Sequence, residues 1–275
     1  MALQLSLRQA RELPELRFEP TRKRVRAVAG GKVFADSRRA ALVWEPRRVV
    51  PQYAFPAADV HASLTPAPPS DVERHPVSLG PNTGVLDPST GFAAHTTAGT
   101  PLTLSMDGVV LEGAGFRADD PDLAEYVIAD FDAFDEWLEE DETIVSHPRD
   151  PFHRVDVRRS SRHVRVEVDG VPLADTKSPL LVFETSLPPR LYLPPSDVDF
   201  SRLRESARAT TCAYKGRARY WSAEVGGRTH PDLAWAYENP LPDAVQLAGH
   251  VAFFDERVDV TLDGKRVPRP VTPWS

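Results

Sequence analysis

The chain has 275 residues, with 33 Lys and Arg against 40 Asp and Glu, a net charge of −7 and one cysteine. The length suggests two domains, the negative charge argues against a general nucleic-acid binder, and a single cysteine excludes a disulfide framework and a Cys-cluster zinc site. The sequence lacks an apolar run of about 18 residues and the pattern of a secretory leader, so we expect a soluble, cytoplasmic protein with no membrane partner.

Two stretches of the chain repeat each other. Residues 25–45 read VRAVAGGKVFADSRRAALVWE and residues 164–184 read VRVEVDGVPLADTKSPLLVFE, so that the two align without gaps and both end in glutamate. The repeat predicts two tandem modules, a first, degenerate one over residues 17–157 and a second over residues 158–270. Alternating apolar residues around Gly-Gly or Asp-Gly predict a β-hairpin at the start of each module.

Each module is also expected to contain one short helix. In the first module Pro121 follows two aspartates, and apolar residues recur at helical spacing as far as Leu138. This helix would carry an acidic run, because residues 130–142 include eight acidic side chains and no basic one. The second helix is expected around residues 240–249. The other segments alternate like strands between proline-rich loops, so the predicted class is mainly β.

Residues suited to chemistry gather in the second module, around the segment TCAYKGRARYWS at residues 211–222. Cys212 and Lys215 precede Gly216, whose expected positive φ would place them in a turn that brings both side chains to one side. An ammonium near a thiol favours the nucleophilic thiolate, so Cys212 and Lys215 are the candidate catalytic residues. The alternative is a buried, inert cysteine with Lys215 paired to a carboxylate. The candidate ligand-binding residues are aromatic or cationic: Tyr192, Arg217, Tyr220, Trp221, Trp235 and Tyr237.

This segment, together with AWAYENP at residues 234–240 and AGHVAFF at residues 248–254, resembles the motifs of the bacterial domain-of-unknown-function family 427 (DUF427). The resemblance implies a compact β structure similar to the β-tent group; the family is sometimes labelled nucleotidyltransferase-like, and its biochemical role is not established. The usual Cys-Pro-x-Lys-Gly reads Cys-Ala-Tyr-Lys-Gly here. In the first module, His95 is aligned with Cys212 and Ala98 with Lys215, which restricts the predicted chemistry to the second module.

Metal-dependent chemistry has little support in the sequence. Nucleotidyl transfer needs paired carboxylates that hold a divalent metal ion. Two aspartate pairs have suitable spacing: Asp130 with Asp132, and Asp197 with Asp199. No glycine-rich phosphate loop precedes either pair, and a turn or capping role is the simpler interpretation of the second. The one close pair of histidines, His147 and His153, lies in a proline-containing loop, and we predict neither a metal site nor a cofactor.

Three functions are consistent with these patterns. The first is a small-molecule-binding domain, which would be an enzyme if Cys212 acts as a nucleophile. The second is a non-catalytic interaction protein, in which the paired modules form a scaffold and the acidic residues 130–142 form the contact face. The third is nucleotidyl transfer, which the family label suggests. The sequence specifies neither the ligand nor the oligomeric state.

Overall fold

The computed structural model describes residues 2–78 and 84–272 and consists mainly of β-strands, which confirms the predicted class. The chain forms two compact units, the first ending at Asp150 and the second beginning at Pro151, with Ser78 grouped with the second. The division therefore falls before residues 151–157, which the repeat had assigned to the first module. The reason is that Val155–Arg159 is a strand that pairs within the sheet of the second unit.

The first unit begins with a short helix and continues as strands joined by tight turns. None of the residues of the helix α1 is buried. Its elements, in chain order, are α1 (Leu5–Glu12), β1 (Arg17–Pro20), β2 (Val25–Ala29), β3 (Lys32–Ser37), β4 (Ala41–Trp44), β5 (Gln52–Pro56), β6 (Ser63–Pro66), β7 (Pro76–Ser78), β8 (Gly84–Leu86), β9 (Gly99–Met106), β10 (Val109–Ala118), β11 (Tyr126–Ala129), β12 (Glu136–Glu139) and β13 (Glu142–Ile144). Two 3-10 helices, Ala57–Asp59 and Phe131–Ala133, lie between strands.

From Pro151 to Thr272 the second unit has eleven strands. They are β14 (Val155–Arg159), β15 (Val164–Val168), β16 (Val171–Thr176), β17 (Leu180–Glu184), β18 (Arg190–Leu193), β19 (Leu203–Cys212), β20 (Gly216–Val225), β21 (Arg228–Tyr237), β22 (Val251–Phe253), β23 (Asp259–Leu262) and β24 (Lys265–Val267). Three 3-10 helices connect them, at Pro195–Asp197, Phe200–Arg202 and Pro242–Leu247.

The two units have the same sheet topology. The first has a seven-stranded sheet in the order β1-β4-β5-β11-β10-β9-β6, and the second has one in the order β14-β17-β18-β22-β21-β20-β19. Each unit also has a four-stranded sheet, β13-β12-β2-β3 and β16-β15-β23-β24, and β7 pairs with β8 in a small separate sheet. Every pairing registered between these strands is antiparallel, so the strands of one unit can be matched one by one with those of the other.

The helix predicted over residues 121–138 is wrong. Those residues form a turn, strand β11, a 3-10 helix and strand β12. The apolar spacing that resembled a helix comes from separate elements, since Val127 lies in β11, Phe131 in the 3-10 helix and Leu138 in β12. Strand β11 itself is buried on both faces, because the adjacent Val127 and Ile128 belong to two different apolar clusters. Residues 130–142 are thus not an acidic helix, and the second predicted helix is only the 3-10 segment Pro242–Leu247.

In the second unit, both faces of the seven-stranded sheet carry apolar residues. Strand alternation sends the side chains of adjacent residues to opposite faces. Leu191 and Leu193 belong to one cluster, which also contains residues of the four-stranded sheet, while Tyr192 belongs to the other. We call the face that carries Tyr192 the tyrosine face. No helix in the described ranges has the length and hydrophobicity needed to cross a membrane.

Candidate functional site

The turn between β19 and β20 brings Cys212 and Lys215 to one edge of the tyrosine face. Cys212 ends β19 and is the register partner of Gly216, the first residue of β20, so that only three residues form the turn. Gly216 has φ +90°, as the sequence predicts, and a Cβ added there would lie 3.4 Å from the carbonyl oxygen of Asn239. Glycine is required by this left-handed conformation, which fixes the direction of the turn.

Lys215 is buried and forms an ion pair with a residue that sequence analysis did not select. Its Nζ lies 2.5 Å from Oε2 of Glu184, and both side chains are 10% exposed or less. Burial opposes the charge on Lys215, yet Glu184, with smaller contributions from Cys212 and Tyr192, raises the pKa of Lys215 above its usual value. Burial likewise opposes the ionised form of Glu184, but Lys215 and His153 lower its pKa to about 2. Both groups are therefore charged at neutral pH.

His153 is the second group close to this carboxylate. Its Nε2 lies 3.6 Å from Oε2 of Glu184, and its ring packs against Tyr214 with the ring centroids 4.3 Å apart. Within the described part of the chain this Nε2 has no hydrogen-bond partner. Glu184 is thus the centre of a polar cluster with Lys215 and His153, next to the half-buried Cys212.

Four of the predicted ligand-binding residues are buried in one cluster on the tyrosine face, against which Cys212 packs: Tyr192, Tyr220, Trp235 and Tyr237. The indole Nε1 of Trp235 donates to the hydroxyl of Tyr192 at 3.2 Å. Burial raises the pKa of Tyr192 to about 12 and the pKa of Tyr237 well above its usual value, so both phenols are neutral. The hydroxyl of Tyr220 bonds to that of Thr210 at 2.8 Å.

Two predicted site residues lie elsewhere. Trp221 follows Tyr220 in β20 and belongs to the apolar cluster on the opposite face, where Arg219 lies over its ring at 4.5 Å. Arg217 is exposed and lies an even number of positions from Trp221 in β20, so the two side chains point to the same face of the strand. Because side chains alternate along a strand, β20 cannot direct Trp221 and Arg217 to the same face as Tyr220.

The strand registers show which residues of the first unit occupy the equivalent positions. Tyr192 pairs with Leu180 and Ala252, whereas Ala54 pairs with Ala41 and Ile128 on the matching strands. The same comparison relates the site residues to apolar or small residues: Ala54 for Tyr192, Pro101 for Tyr220, Phe116 for Trp235 and Ala118 for Tyr237. The first unit therefore builds the same sheet without the phenols and the indole.

The registers also correct the predicted alignment of the turn. Gly99 pairs with Ala118 as Ala218 pairs with Tyr237, so Gly99 is the counterpart of Ala218. Thr96 lies three residues before Gly99, and Lys215 lies three residues before Ala218, so Thr96 is the counterpart of Lys215. His95 is then equivalent to Tyr214 and not to Cys212. The alignment from sequence rested on similar residues in the two turns, whereas the strand register fixes which positions are equivalent.

One feature of the site is present in both units. Glu45, the counterpart of Glu184, is also buried, and its carboxylate accepts from Nδ1 of His95 at 2.7 Å and from the backbone N–H of Thr96 at 2.6 Å. A signal for Glu184 was therefore available in the sequence, since glutamate closes both copies of the repeat. Alternation from Leu180 through Val182 also directs Glu184 to the tyrosine face.

The aspartate pairs considered for nucleotidyl transfer have local roles. The Asp130 side chain accepts from the backbone N–H of Asp132 at 3.0 Å, and Asp199 accepts from that of Ser201 at 3.1 Å. Each carboxylate caps a 3-10 helix, which is the ordinary use of aspartate before a turn. In the described ranges no group of three or more His, Cys, Asp and Glu side chains is arranged to hold a metal ion.

Comparison with known proteins identifies the family. Residues 17–73 and 156–264 match the family described as a domain of unknown function (DUF427), with one matched segment in each unit. No curated protein matches the chain. The match spans more than half of the sequence and includes β17, β18 and the β19–β20 turn, which carry the candidate site. The chain is therefore a member of the DUF427 family.

Proposed function

We propose that the second unit binds a small molecule at the Cys212 end of the tyrosine face. The observation that carries this proposal is the contrast between the two units. The same sheet positions hold Ala54, Phe116 and Ala118 in the first unit but Tyr192, Trp235 and Tyr237 in the second. Since the fold forms without these polar aromatic residues, a use other than folding accounts for them in the second unit.

The energetics of the ion pair support the same proposal. Removal of two charges from water costs several kcal/mol per ion, and the attraction between them often only offsets this cost. An ion pair such as Lys215–Glu184 is thus a weak source of stability, while groups with strongly shifted pKa values gather at functional sites. The first unit places Thr96 where the second has Lys215, so the sheet does not require a buried ammonium there.

The protonation states define the roles that we propose. Lys215 is held as an ammonium by Glu184 and does not serve as a nucleophile or general base at neutral pH. It supplies a fixed positive charge beside the half-buried Cys212, which is the less buried of the two and the one that would meet the ligand. His153, also next to Glu184, is the candidate proton acceptor of the site. An enzymatic function would use Cys212 as the nucleophile.

The other two functions have less support from contacts. Only part of the acidic run 130–142 is paired within its own unit: Glu139 pairs with Lys23, and Arg26 bonds to the backbone carbonyl of Glu140 and to the carboxylate of Asp141, which stays exposed. In each aspartate pair considered for nucleotidyl transfer, one member, Asp130 or Asp199, caps a 3-10 helix. The side-chain contacts therefore favour a ligand-binding function over the other two.

Thermal denaturation of the full chain with a panel of metabolites and of nucleotides with Mg²⁺ tests the proposal, because a ligand that binds the folded state raises the midpoint. We expect a saturable rise for the wild-type protein that Cys212→Ser diminishes. Arg217→Gln, exposed on the opposite face of β20, is the matched control and should retain the full response. A ligand response that is equal in wild type and Cys212→Ser, or no response to any compound, would count against the site.

A further inference from the structure

Strand β19 presents three side chains of different chemistry on the tyrosine face. Arg208, Thr210 and Cys212 alternate along the strand, which directs their side chains to one face. Cys212 packs against the cluster of the tyrosine face. The hydroxyl of Thr210 bonds to that of Tyr220 at 2.8 Å, and the guanidinium of Arg208 lies over the ring of Tyr220, 4.9 Å from its centre. A cation and a hydroxyl thus meet on one ring, beside the candidate nucleophile.

The part of β19 that carries these residues extends beyond its counterpart in the first unit. There the equivalent strand, β6, ends at Pro66, which pairs with Leu102. By strand register Leu102 is the counterpart of Trp221, which pairs with Glu205 of β19. Strand β19 passes through a bulge after Glu205 and pairs again over residues 209–212. The segment with the cation, the hydroxyl and the thiol therefore has no equivalent in β6.

The guanidinium of Arg208 has donors available to a ligand. None of the hydrogen bonds found in residues 2–78 and 84–272 uses a guanidinium nitrogen of Arg208, whose backbone N–H donates to Ser206. The carboxylate of Asp232 lies 3.6 Å from a terminal nitrogen and also accepts from the hydroxyl of Ser206. The side chain of Arg208 is 44% exposed, and ion pairs at such exposure are weak. The guanidinium can therefore bind a ligand carboxylate without the loss of a strong contact.

The hydroxyls beside Arg208 add a neutral donor. Thr210 and Tyr220 have one hydroxyl proton each, and the bond between them uses one of the two. When Tyr220 donates, the O–H of the exposed Thr210 remains for a ligand. The charge of Lys215 is neutralised by Glu184. A single guanidinium with one hydroxyl suits a monoanion, and its planar fork matches the two oxygens of a carboxylate.

We propose that the ligand of the Cys212 site is a small carboxylate and that Arg208 is the residue that recognises its charge. This inference rests on the proposed function and adds to it the class of ligand. The carboxylate binds the guanidinium of Arg208 and the O–H of Thr210, and the rest of the molecule extends toward Cys212. Thr210 and Cys212 are two residues apart, roughly 7 Å along a strand, so a chain of a few carbon atoms spans the distance.

Alkylation of Cys212 by iodoacetate and by iodoacetamide tests this assignment, because the two reagents share a leaving group and a size but differ in charge. Cys212 is the single cysteine of the chain, so mass spectrometry of the intact protein gives its rate of alkylation. We expect Arg208→Gln to lower the ratio of the iodoacetate rate to the iodoacetamide rate about twofold at low salt. Arg208→Lys keeps the charge and should retain most of the ratio. A variant that only loosens the turn changes both rates together.

Two further variants separate a local effect from a change in net charge. Asp232→Asn removes the carboxylate beside Arg208 and should raise the ratio. Arg228→Gln removes an exposed cation at the opposite end of β20 from Cys212 and should leave the ratio as in the wild type. An unchanged ratio in Arg208→Gln, an equal decrease in Arg228→Gln, or no reaction of Cys212 with either reagent would overturn the proposal.

Thermal denaturation distinguishes a failure of this inference from a failure of the proposed function. Carboxylates should raise the midpoint of the wild-type protein more than the neutral amides of the same skeleton, and Arg208→Gln should abolish this preference. If a neutral compound gives the larger rise and Cys212→Ser diminishes it, the binding site stands and the carboxylate assignment fails. If no compound binds although Arg208→Gln lowers the alkylation ratio, the electrostatic role of Arg208 stands and the proposed function fails.

Discussion

The ammonium of Lys215 lies 2.5 Å from the carboxylate of Glu184, and the pair joins the β19–β20 turn to the end of strand β17. These residues are 31 positions apart in the chain. An ion pair, and not an apolar side chain, thus attaches the turn next to Cys212 to the interior of the sheet. The position of the candidate nucleophile depends on this contact.

We expect Glu184→Gln to destabilise the protein by about 3–5 kcal/mol, because it leaves the ammonium of Lys215 buried and unpaired. Urea denaturation, followed by tryptophan fluorescence, measures this change. The double variant Glu184→Leu/Lys215→Met removes both charges and should cost less than the single substitution. A loss below about 1 kcal/mol in Glu184→Gln would show that Lys215 finds another partner.

The same carboxylate predicts an acid-sensitive component of stability. The pKa of Glu184 in the folded protein is about 2, below its ordinary value of 4.5. The contribution of the Glu184 carboxylate to the free energy of unfolding is therefore complete above pH 4.5 and is lost as the pH falls toward 2. Glu184→Gln should show a smaller decrease in unfolding free energy between pH 5 and pH 2 than the wild type. Equal decreases in the two proteins, measured by urea denaturation at each pH, would contradict the shift.

Asp255 predicts a pH dependence of opposite sign. Burial raises its pKa to about 7, opposed by Arg190 and assisted by Glu256. Between its unfolded pKa of 3.8 and about 7 the folded state holds the extra proton, so stability decreases as the pH rises through this window. Asp255→Asn should reduce this decrease by roughly 1–4 kcal/mol. Glu205→Gln, an exposed carboxylate, serves as the control and should follow the wild-type curve.

Much of the fold was accessible from the sequence because its signals are local. The repeated hairpins and the positive φ of Gly216 follow from alternation and from turn residues. The helix over residues 121–138 failed because apolar spacing cannot distinguish a helix from a strand buried on both faces. In β11, contacts with β5 and β10 decide the conformation, and they are invisible in a short window.

The site was predictable in part. Residue type selected Cys212 and Lys215 as candidates, and the structure places them at one turn. Trp221 and Arg217 were grouped with Tyr220, although alternation in β20 separates them. Glu184 was missed because a glutamate at the end of an apolar strand resembles a solvated terminus, although its recurrence as Glu45 in the first copy was a signal for it. Its burial depends on the distant β19–β20 turn, which the sequence does not connect to β17.

Gly216→Ala should destabilise the protein by roughly 1–2 kcal/mol, because φ +90° is unfavourable for a residue with a Cβ. The substitution should also change the rate at which Cys212 reacts with a thiol reagent, since the turn must shift. Gly227→Ala is the matched control, with φ +76° at the β20–β21 turn and no atom within 4 Å of the added Cβ. Gly227→Ala should lower the free energy of unfolding by a similar amount without changing the rate at which Cys212 reacts. A changed rate in both variants would mean that the rate reflects destabilisation of the whole unit and not the β19–β20 turn.

Tyr192→Phe should cost about 1–3 kcal/mol, because it leaves the indole N–H of Trp235 buried without its acceptor. Tyr220→Phe is the comparison, since the partner of that hydroxyl is Thr210, an exposed residue that water can serve instead. We expect the second change to cost less than about 1 kcal/mol. Urea denaturation gives both values, and near-ultraviolet circular dichroism reports whether the Trp235 ring has moved. Equal costs would mean that the Tyr192 hydroxyl contributes no more than a surface hydrogen bond, and the polar character of the tyrosine face would then have no structural role at this position.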